Sequence, residues 1–496
     1  MSRPNVVFVH AAFEHLGVEL LSAYLKQHDV ETSLAFDPRM FDDSFVDVRF
    51  LAKLFDIRER LADQVAQREP DLVAFSVLAA DYRWALDMAA RIKRRCSAPV
   101  VFGGIHATSA PEALLENEQV DYCIVGEGER ALLELTRALH QGSDPTGVDN
   151  LCFRADGAVR CNPLGPLIQD LDALPFADKQ LFYDQVPGYA RHYTLLTRRG
   201  CINRCSYCHN TIWRRLYPDQ PLIRLRSVDN VFQELTAAKA RYGFNRLRIN
   251  DDLFSYNREW LLEFCKRYPH EVGVPFMCFC SPLDLDAESV AALKNAGCFQ
   301  VCVGVQDVHE QVRAEVFDRR TPQAALVRSL ACLRKQRLRA TVDNILGFPG
   351  QTEQQIQDVA QFYLDNPVYG RFTVFWLIYY AGTAITEAAH QRGELSDEQL
   401  AQLQRDPPRR ANTMVRSGSL SRRLTKLHLF LVLIQWLPRS WSRLMLHKQL
   451  YRLLPPINPS LIEGLWTVFT RDRLDPIRRR YYIKYLHYGL RRFISR

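Results

Sequence analysis

Short β-branched and aromatic runs alternate with stretches of helical periodicity along the first 130 residues or so of the chain. The apolar runs at 6–10, 72–78, 99–103 and 122–125 predict strands. Residues 17–27 and 84–95, apolar at every third or fourth position, predict amphipathic helices. Strand and helix in alternation imply a parallel sheet with helices on both faces. Between Val148 and about Pro187, prolines and turn residues break the periodicity and predict a connector. A second alternating series starts at Tyr193, with strands expected at 194–198, 246–250, 276–280, 298–305, 340–346 and 372–379. Six such units predict a partial barrel, with chemistry at the carboxyl ends of its strands. From about Leu395 the pattern is helical and rich in arginine and aromatic residues.

Composition makes this an ordinary folded chain. Its 496 residues exceed the size at which one core keeps growing, so two to four structural units are expected. The apolar run after Asn5 is too short for a secretory segment, and no small-residue cleavage site follows it. Thirteen cysteines without an export signal predict a reducing, cytoplasmic setting in which they stay free or bind metal rather than pair. The longest apolar run, 427–437, is about half of what spans a bilayer and is interrupted by His428 and Gln435, so no transmembrane helix is predicted. The net charge of +8 is uneven: residues 421–496 carry 16 Lys/Arg against three acids, +13, and everything earlier nets −5. Interleaved with aromatics, that tail is a candidate for peripheral membrane contact through 427–437 and the terminal Arg/Tyr stretch, or for a helical cap on the barrel with a solvated basic face.

Glycines and polar residues gather where strands of the first series end. Gly17 follows the first strand, Ser76 and Leu78 close another, Gly103, Gly104, Ile105 and His106 follow a third, and Gly126, Glu127, Gly128 and Glu129 a fourth. Glycine there permits close backbone approach to a ligand, and the helix that follows favours phosphate. Taken singly each is equally a tight turn; together they point to a ligand.

The stretch Cys201-Ile202-Asn203-Arg204-Cys205-Ser206-Tyr207-Cys208-His209 follows the first strand of the second series. Three thiolates and His209 match the donor types of a closed zinc site, but that would crowd four ligands into nine residues. Residues 205–209 also match C-x-x-C-H, the c-type haem attachment motif, which needs export. A four-iron cubane needs one ligand per iron, so three cysteines leave one iron open to substrate. The C-x-x-x-C-x-x-C spacing, its place after a barrel strand and Tyr207 before the third cysteine resemble the radical S-adenosylmethionine (SAM) superfamily. That resemblance implies that Cys201, Cys205 and Cys208 hold a [4Fe-4S] cluster whose open iron chelates SAM, and that Tyr207 contributes to the SAM site. It also implies Asn250, Asp251 and Asp252 beside the SAM amino group, Gln306 in the fifth-strand motif, and Gly347 and Pro349 in a turn beside the adenine. Cys280-Ser281-Pro282 stands where relatives often carry an arginine, so the SAM carboxylate is expected to be held otherwise. Cys278, Cys280, Cys298 and Cys302 lie in apolar runs and are expected in the core.

A parallel α/β unit with "GGIHATSAPEALL" and "DYCIVGEGE" ahead of such a barrel resembles the B12-binding radical SAM group. This implies cobalamin against the strand-end residues of the first unit, with no histidine ligand to cobalt, because D-x-H-x-x-G is missing. His106 is then a loop contact. The implied architecture is α/β: a Rossmann-like doubly wound cobalamin domain over 1–147, a linker over 148–190, a partial (β/α)6 barrel over 191–394 and a helical basic region over 395–496. The implied reaction is C-methylation of an unactivated sp3 carbon, in which a 5′-deoxyadenosyl radical removes hydrogen and methylcobalamin donates the methyl group. Ring-forming or ring-contracting chemistry on the same cofactors remains open, as does a binding protein acting through the basic tail. Expected partners are a small-molecule, lipid or natural-product substrate and an electron donor such as flavodoxin or ferredoxin. Nucleic acid is not expected, because only Cys96 and Cys123 precede residue 150, whereas the tRNA-modifying branch carries extra amino-terminal cysteines.

Overall fold

The computed structural model describes residues 2–43, 48–407, 422–455, 457, 483–485, 487 and 488. Strands β1 (Asn5–Ala11), β2 (Glu31–Asp37), β3 (Leu72–Ser76), β4 (Val100–Gly103), β5 (Tyr122–Ile124), β6 (Leu151–Ala155) and β7 (Ala158–Cys161) form one sheet in the order β2-β1-β3-β4-β5-β6-β7. The first five are parallel, in the doubly wound order that opens a ligand crevice where the winding reverses between β1 and β3. Alternate residues of β1 feed opposite cores. Val7 and Val9 join Phe75, Phe102 and Met88 on one face; Val6 and Phe8 join Phe36, Leu135 and Phe182 on the other. Burial on both faces is why these strands read as unbroken apolar runs. Strand β2 escapes a pattern reading because its first three residues are polar and only partly covered.

Residues 148–190 are more than a connector. They add the antiparallel hairpin β6–β7 to the sheet, turning at Asp156 and Gly157, both with positive φ (53° and 74°). Asp-Gly between two extended runs is the two-residue hairpin signature, which the sequence reading passed over. The register places Cys152 opposite Cys161, and a disulfide joins them, against the expectation of thiols alone; the other eleven cysteines are free.

Strands β8 (His192–Leu195), β11 (Arg246–Ile249), β12 (Phe276–Cys280), β13 (Cys298–Gln306), β14 (Arg339–Leu346) and β15 (Gly370–Trp376) pair in parallel in the order β15-β14-β13-β12-β11-β8, the partial barrel. The short β9 (Arg198–Arg199) and β10 (Arg224–Leu225) pair antiparallel beside it. The first barrel strand therefore ends earlier than its apolar pattern suggested. Cys278, Cys280 and Cys298 are packed in the barrel's main core.

The described part of the tail is a helical cap on the barrel, with Arg439, Arg443 and Lys448 exposed, and departs from the membrane expectation at 427–437. Leu427, Phe430 and Leu431 of the helix Arg422–Leu433 are fully buried on the barrel. Just beyond, Gln435 accepts the Phe372 N–H (3.1 Å) along the edge strand β15. The apolar run at 427–437 thus covers a sheet edge and has no face left for a bilayer. Lys484 is buried in an ion pair with Asp43 (2.7 Å) and donates to the Pro38 carbonyl (2.8 Å). This part of the basic stretch seals the first domain and is not a solvated face of the barrel. Most of the terminal Arg/Tyr stretch lies outside the described residues, among which no helix is long and apolar enough to cross a membrane.

Candidate functional site

The carboxyl ends of β1, β3, β4 and β5 face the mouth of the barrel across a cavity of about 400 Å³. On the sheet side its wall includes Gly17, Ser76, Gly103, Gly104, Ile105 and the loop Gly126, Glu127, Gly128 and Glu129; on the barrel side it includes Cys201, Asn250 and Asp252. Gly104, at φ 91°, adopts a backbone conformation that strains any other residue, and a Cβ there would lie a tight 3.0 Å from the Val77 nitrogen. Leu78 and His106 are not on this wall. Leu78 leads into the one-turn helix Ala79–Asp81, and His106 is buried on the helix Ile105–Ser109 against the Tyr82 ring (4.7 Å). Burial lowers the His106 imidazole to about 4. It is therefore neutral and packed rather than a loop contact. His15, just ahead of Gly17, also lines the cavity. Its Nδ1 accepts the Val18 N–H (3.2 Å) at the helix start, so its proton sits on Nε2.

The three cysteines lie on one loop between β9 and the helix Asn210–Leu216, and Arg214 of that helix gathers the loop. Its Nη2 donates to the carbonyls of Cys201 (2.6 Å), Ile202 (3.0 Å) and Asn203 (3.4 Å). Each sulfur has its own donor: Asn203 Nδ2 to Cys201 (3.6 Å), Arg319 Nη1 to Cys205 (3.4 Å) and Asn210 Nδ2 to Cys208 (3.6 Å). Burial pushes the Cys201 and Cys208 thiols up. Gly200 sets the entry to the loop at φ 82°, and a Cβ there would meet the Leu222 carbonyl oxygen at 2.2 Å. Gly200→Ala is expected to cost about 2–4 kcal/mol, read as a lower thermal midpoint, because backbone must move on both sides of the contact.

Neighbouring acids on the second barrel strand's loop face opposite ways. Asp252 is on the cavity wall and accepts from Asn210 (3.0 Å), the residue that also donates to Cys208. Asp251, expected beside SAM with Asp252, is buried away from the cavity. It accepts the Thr197 N–H (2.7 Å) and hydroxyl and pairs with Arg198 (3.4 Å), so it pins the chain leading into the cysteine loop. Gln306, Gly347 and Pro349 stand at or beyond the ends of β13 and β14, off the cavity wall. Gln306 adopts φ 72°, rare without glycine, at a register shift in β13. A ladder of rings connects the elements: Tyr207 packs on Phe317 (5.2 Å), and Phe317 on Phe348 (5.3 Å) beside the Gly347 turn. Sequence reasoning missed Arg319, which a π-helical turn at Val312–Val316 carries to the cysteines. Its trace in the sequence was the arginine pair closing "VFDRR" after the fifth-strand motif.

Residues 195–363 match the profile of the radical SAM superfamily, and residues 4–136 that of the B12 binding domain. This chain is a B12-binding radical SAM protein. The uncharacterized methyltransferase PH0819 of Pyrococcus horikoshii is 27% identical over 390 residues, 75% of this chain and 78% of the relative. The anaerobic magnesium-protoporphyrin IX monomethyl ester cyclase of Rubrivivax gelatinosus is 23% identical over 396 residues, 75% of this chain and 68% of the cyclase. The fold is that of the radical SAM methyltransferase TsrM from Kitasatospora setae, solved with cobalamin and a [4Fe-4S] cluster: TM-score 0.62 at 20% identity, covering 79% of this chain and 75% of that one.

The cofactors of a B12-binding radical SAM enzyme are the cluster, SAM and cobalamin, and the residues fit them. Three thiols, each already accepting an N–H, suit anionic cluster ligands, and the glycine-edged cavity suits a large planar ligand. Glu127 and Glu129, expected to face cobalamin, are also committed to the barrel. Arg199 donates to Glu127 (2.8 Å) and to Glu129, and Arg224 pairs with Glu127 (2.8 Å). Burial raises the Glu127 carboxyl, but Arg199 and Arg224 outweigh it and hold it below the ordinary range.

A second tie braces the loop after Gln306. The His309 imidazole bonds Asp307 (2.8 Å) and Asp358 (3.1 Å), and the Asp307 hydrogen bond, ahead of the cost of burial, raises its pKa. A raised histidine pKa stabilises fully below the unfolded value of about 6.5 and stops doing so as pH rises through the higher folded value. His309→Gln is therefore expected to remove about 0.5 kcal/mol at pH 5.5, after solvent screening, and almost nothing at pH 9, by denaturant titration.

Proposed function

We propose that this enzyme is a cobalamin-dependent C-methyltransferase that methylates an unactivated sp3 carbon of a small molecule, lipid or natural product. The observation that carries this reading is the single cavity shared by the strand ends of the B12-binding domain and by Cys201, Asn250 and Asp252. When bound, the cofactors supply a hydrogen-abstracting radical and a transferable methyl group. The chain supplies placement. Cys201, Cys205 and Cys208 ligate the cluster, while Asn203, Asn210 and Arg319 direct N–H groups at their sulfurs. Asn250 and Asp252 face SAM, with Gln306, Gly347 and Pro349 behind and Tyr207 braced by Phe317. Gly17, Ser76, Gly103, Gly104, Ile105 and Gly126 let the corrinoid lie against backbone. The Leu16 and Leu20 side chains on the wall keep bulk water from the reacting carbon. A flavodoxin or ferredoxin provides the reducing electron.

The test is anaerobic reconstitution with iron, sulfide, hydroxocobalamin and methyl-deuterated SAM, followed by a screen of candidate substrates by product mass. A product heavier by one labelled methyl unit supports methylation. An unlabelled product lighter by hydrogen moves the assignment to cyclisation, the reaction named for the Rubrivivax relative.

A further inference from the structure

Beyond the residues that cover the barrel edge, the chain presents a face with no partner among the described residues. The helix Arg439–His447 follows Pro438 and packs its Ser442 and Leu446 side against the barrel. Arg443 fixes it there by pairing with Asp365 (3.0 Å) of the helix Glu353–Asp365. The other side is apolar and open: Trp441 is 66% exposed and Leu444 52%, and Leu453 shortly after is 81% exposed. Trp441, Leu444 and Lys448 are spaced i, i+3, i+7 and therefore share one stripe. Exposed tryptophan and leucine on one amphipathic helix exceed the scattered apolar residues of an ordinary surface.

Charge identifies the occupant. Residues 422–462 contain seven Lys/Arg and not one Asp or Glu. Arg439 and Lys448 are exposed at the two ends of the helix. A tryptophan and leucines rimmed by cations fit the headgroup boundary of an anionic bilayer, where the indole ring sits at the interface and the cations meet lipid phosphate. A protein partner would need a matching acidic rim around an apolar socket; a lipid surface supplies both along its whole extent. We infer that the helix Arg439–His447 and the turn after it dock this enzyme peripherally on anionic membranes, through Trp441 and Leu444 with Arg439 and Lys448. The sequence pattern pointed to other segments: 427–437, which the fold buries, and the terminal Arg/Tyr stretch, most of which lies outside the described residues.

The experiment is sedimentation of the full-length protein with phosphatidylcholine vesicles, with or without phosphatidylglycerol, at low and high salt. Anionic vesicles are expected to bring down roughly fivefold more protein or better than neutral ones, with the difference falling as salt rises. Trp441→Ala/Leu444→Glu is expected to lower the anionic-vesicle fraction by roughly tenfold. Both side chains are exposed, so the variant should keep the wild-type melting temperature and bind hydroxocobalamin as well as the wild type does. Arg439→Gln/Lys448→Gln should weaken binding to anionic vesicles alone. Three results overturn the inference: protein left in the supernatant with both vesicle types, equal pelleting of the Trp441/Leu444 variant and wild type, or a vesicle-free wild-type oligomer that the variant converts to monomer. The last would make the stripe an interface between copies.

Discussion

Replacing Cys201, Cys205 and Cys208 together by alanine is expected to drop the reconstituted protein from about four irons per chain to under about one half. Bound corrinoid should stay within about twofold of wild type. The two outcomes separate because only Cys201 of the three cysteines is on the cavity wall, whereas the opposite wall is built from strand ends that none of the three substitutions touches. The triple variant also leaves Arg319, buried beside Cys205, without its sulfur acceptor. That predicts a stability loss of about 1–3 kcal/mol, visible as a lower melting temperature without loss of folding. Iron retained in the variant would remove the cluster from this loop. Loss of iron and corrinoid together with an unchanged melting temperature would mean that the two halves of the cavity do not form independently.

Arg199→Met should have the second large effect, and it reaches both halves. Arg199 precedes Gly200 and Cys201, and its guanidinium holds Glu127 and Glu129 of the opposite wall. All three side chains are largely buried, with 16%, 10% and 6% exposure. Removing one member of such a network strands the others, at a cost of about 3–5 kcal/mol. Hydroxocobalamin affinity, read by absorbance titration, should fall by about tenfold or more, because the loop Gly126–Glu129 loses its brace. Combining Arg199→Met with Glu129→Gln should cost less than the sum of the two single changes, since the second neutralises the acid that the first leaves unpaired. The clamp also fixes a pH sign. Glu127 has a lowered pKa, so its contribution is present above the unfolded carboxylate value of about 4.3 and is lost as pH falls through the lower folded value. Additive effects in the double variant would show that Arg199 acts on each wall separately.

The two halves of the chain differ in how much of them a sequence reading could reach. Parallel strands buried on both faces leave near-continuous apolar runs, so β1, β3, β4, β12 and β14 were placed to within a residue or two, and the thiol spacing at 201, 205 and 208 identified the loop without any fold. Strand β2 was not found, because a strand with a polar, half-covered start has no continuous run to find. The hairpin at Asp156-Gly157 was legible in principle, but flanking prolines masked it. Asp251 and Asp252 look equivalent in a string of letters; adjacent residues at a strand's end point to opposite sides, so one pins Thr197 and the other faces the cavity.

What the sequence determined by itself is whatever depends on residues close along the chain: the thiol spacing, the glycines that turn at strand ends, the run lengths and the acid-free stretch at 422–462. Only the tertiary structure decided which surfaces meet. It brings Arg319 to a sulfur 114 residues away, closes Arg199 on Glu127 and Glu129, lays 427–437 over β15, buries Lys484 on Asp43 and leaves Trp441 and Leu444 uncovered. Local periodicity sets where an element buries a face; which partner buries it is settled by the packing of the whole chain, which no short window of sequence contains.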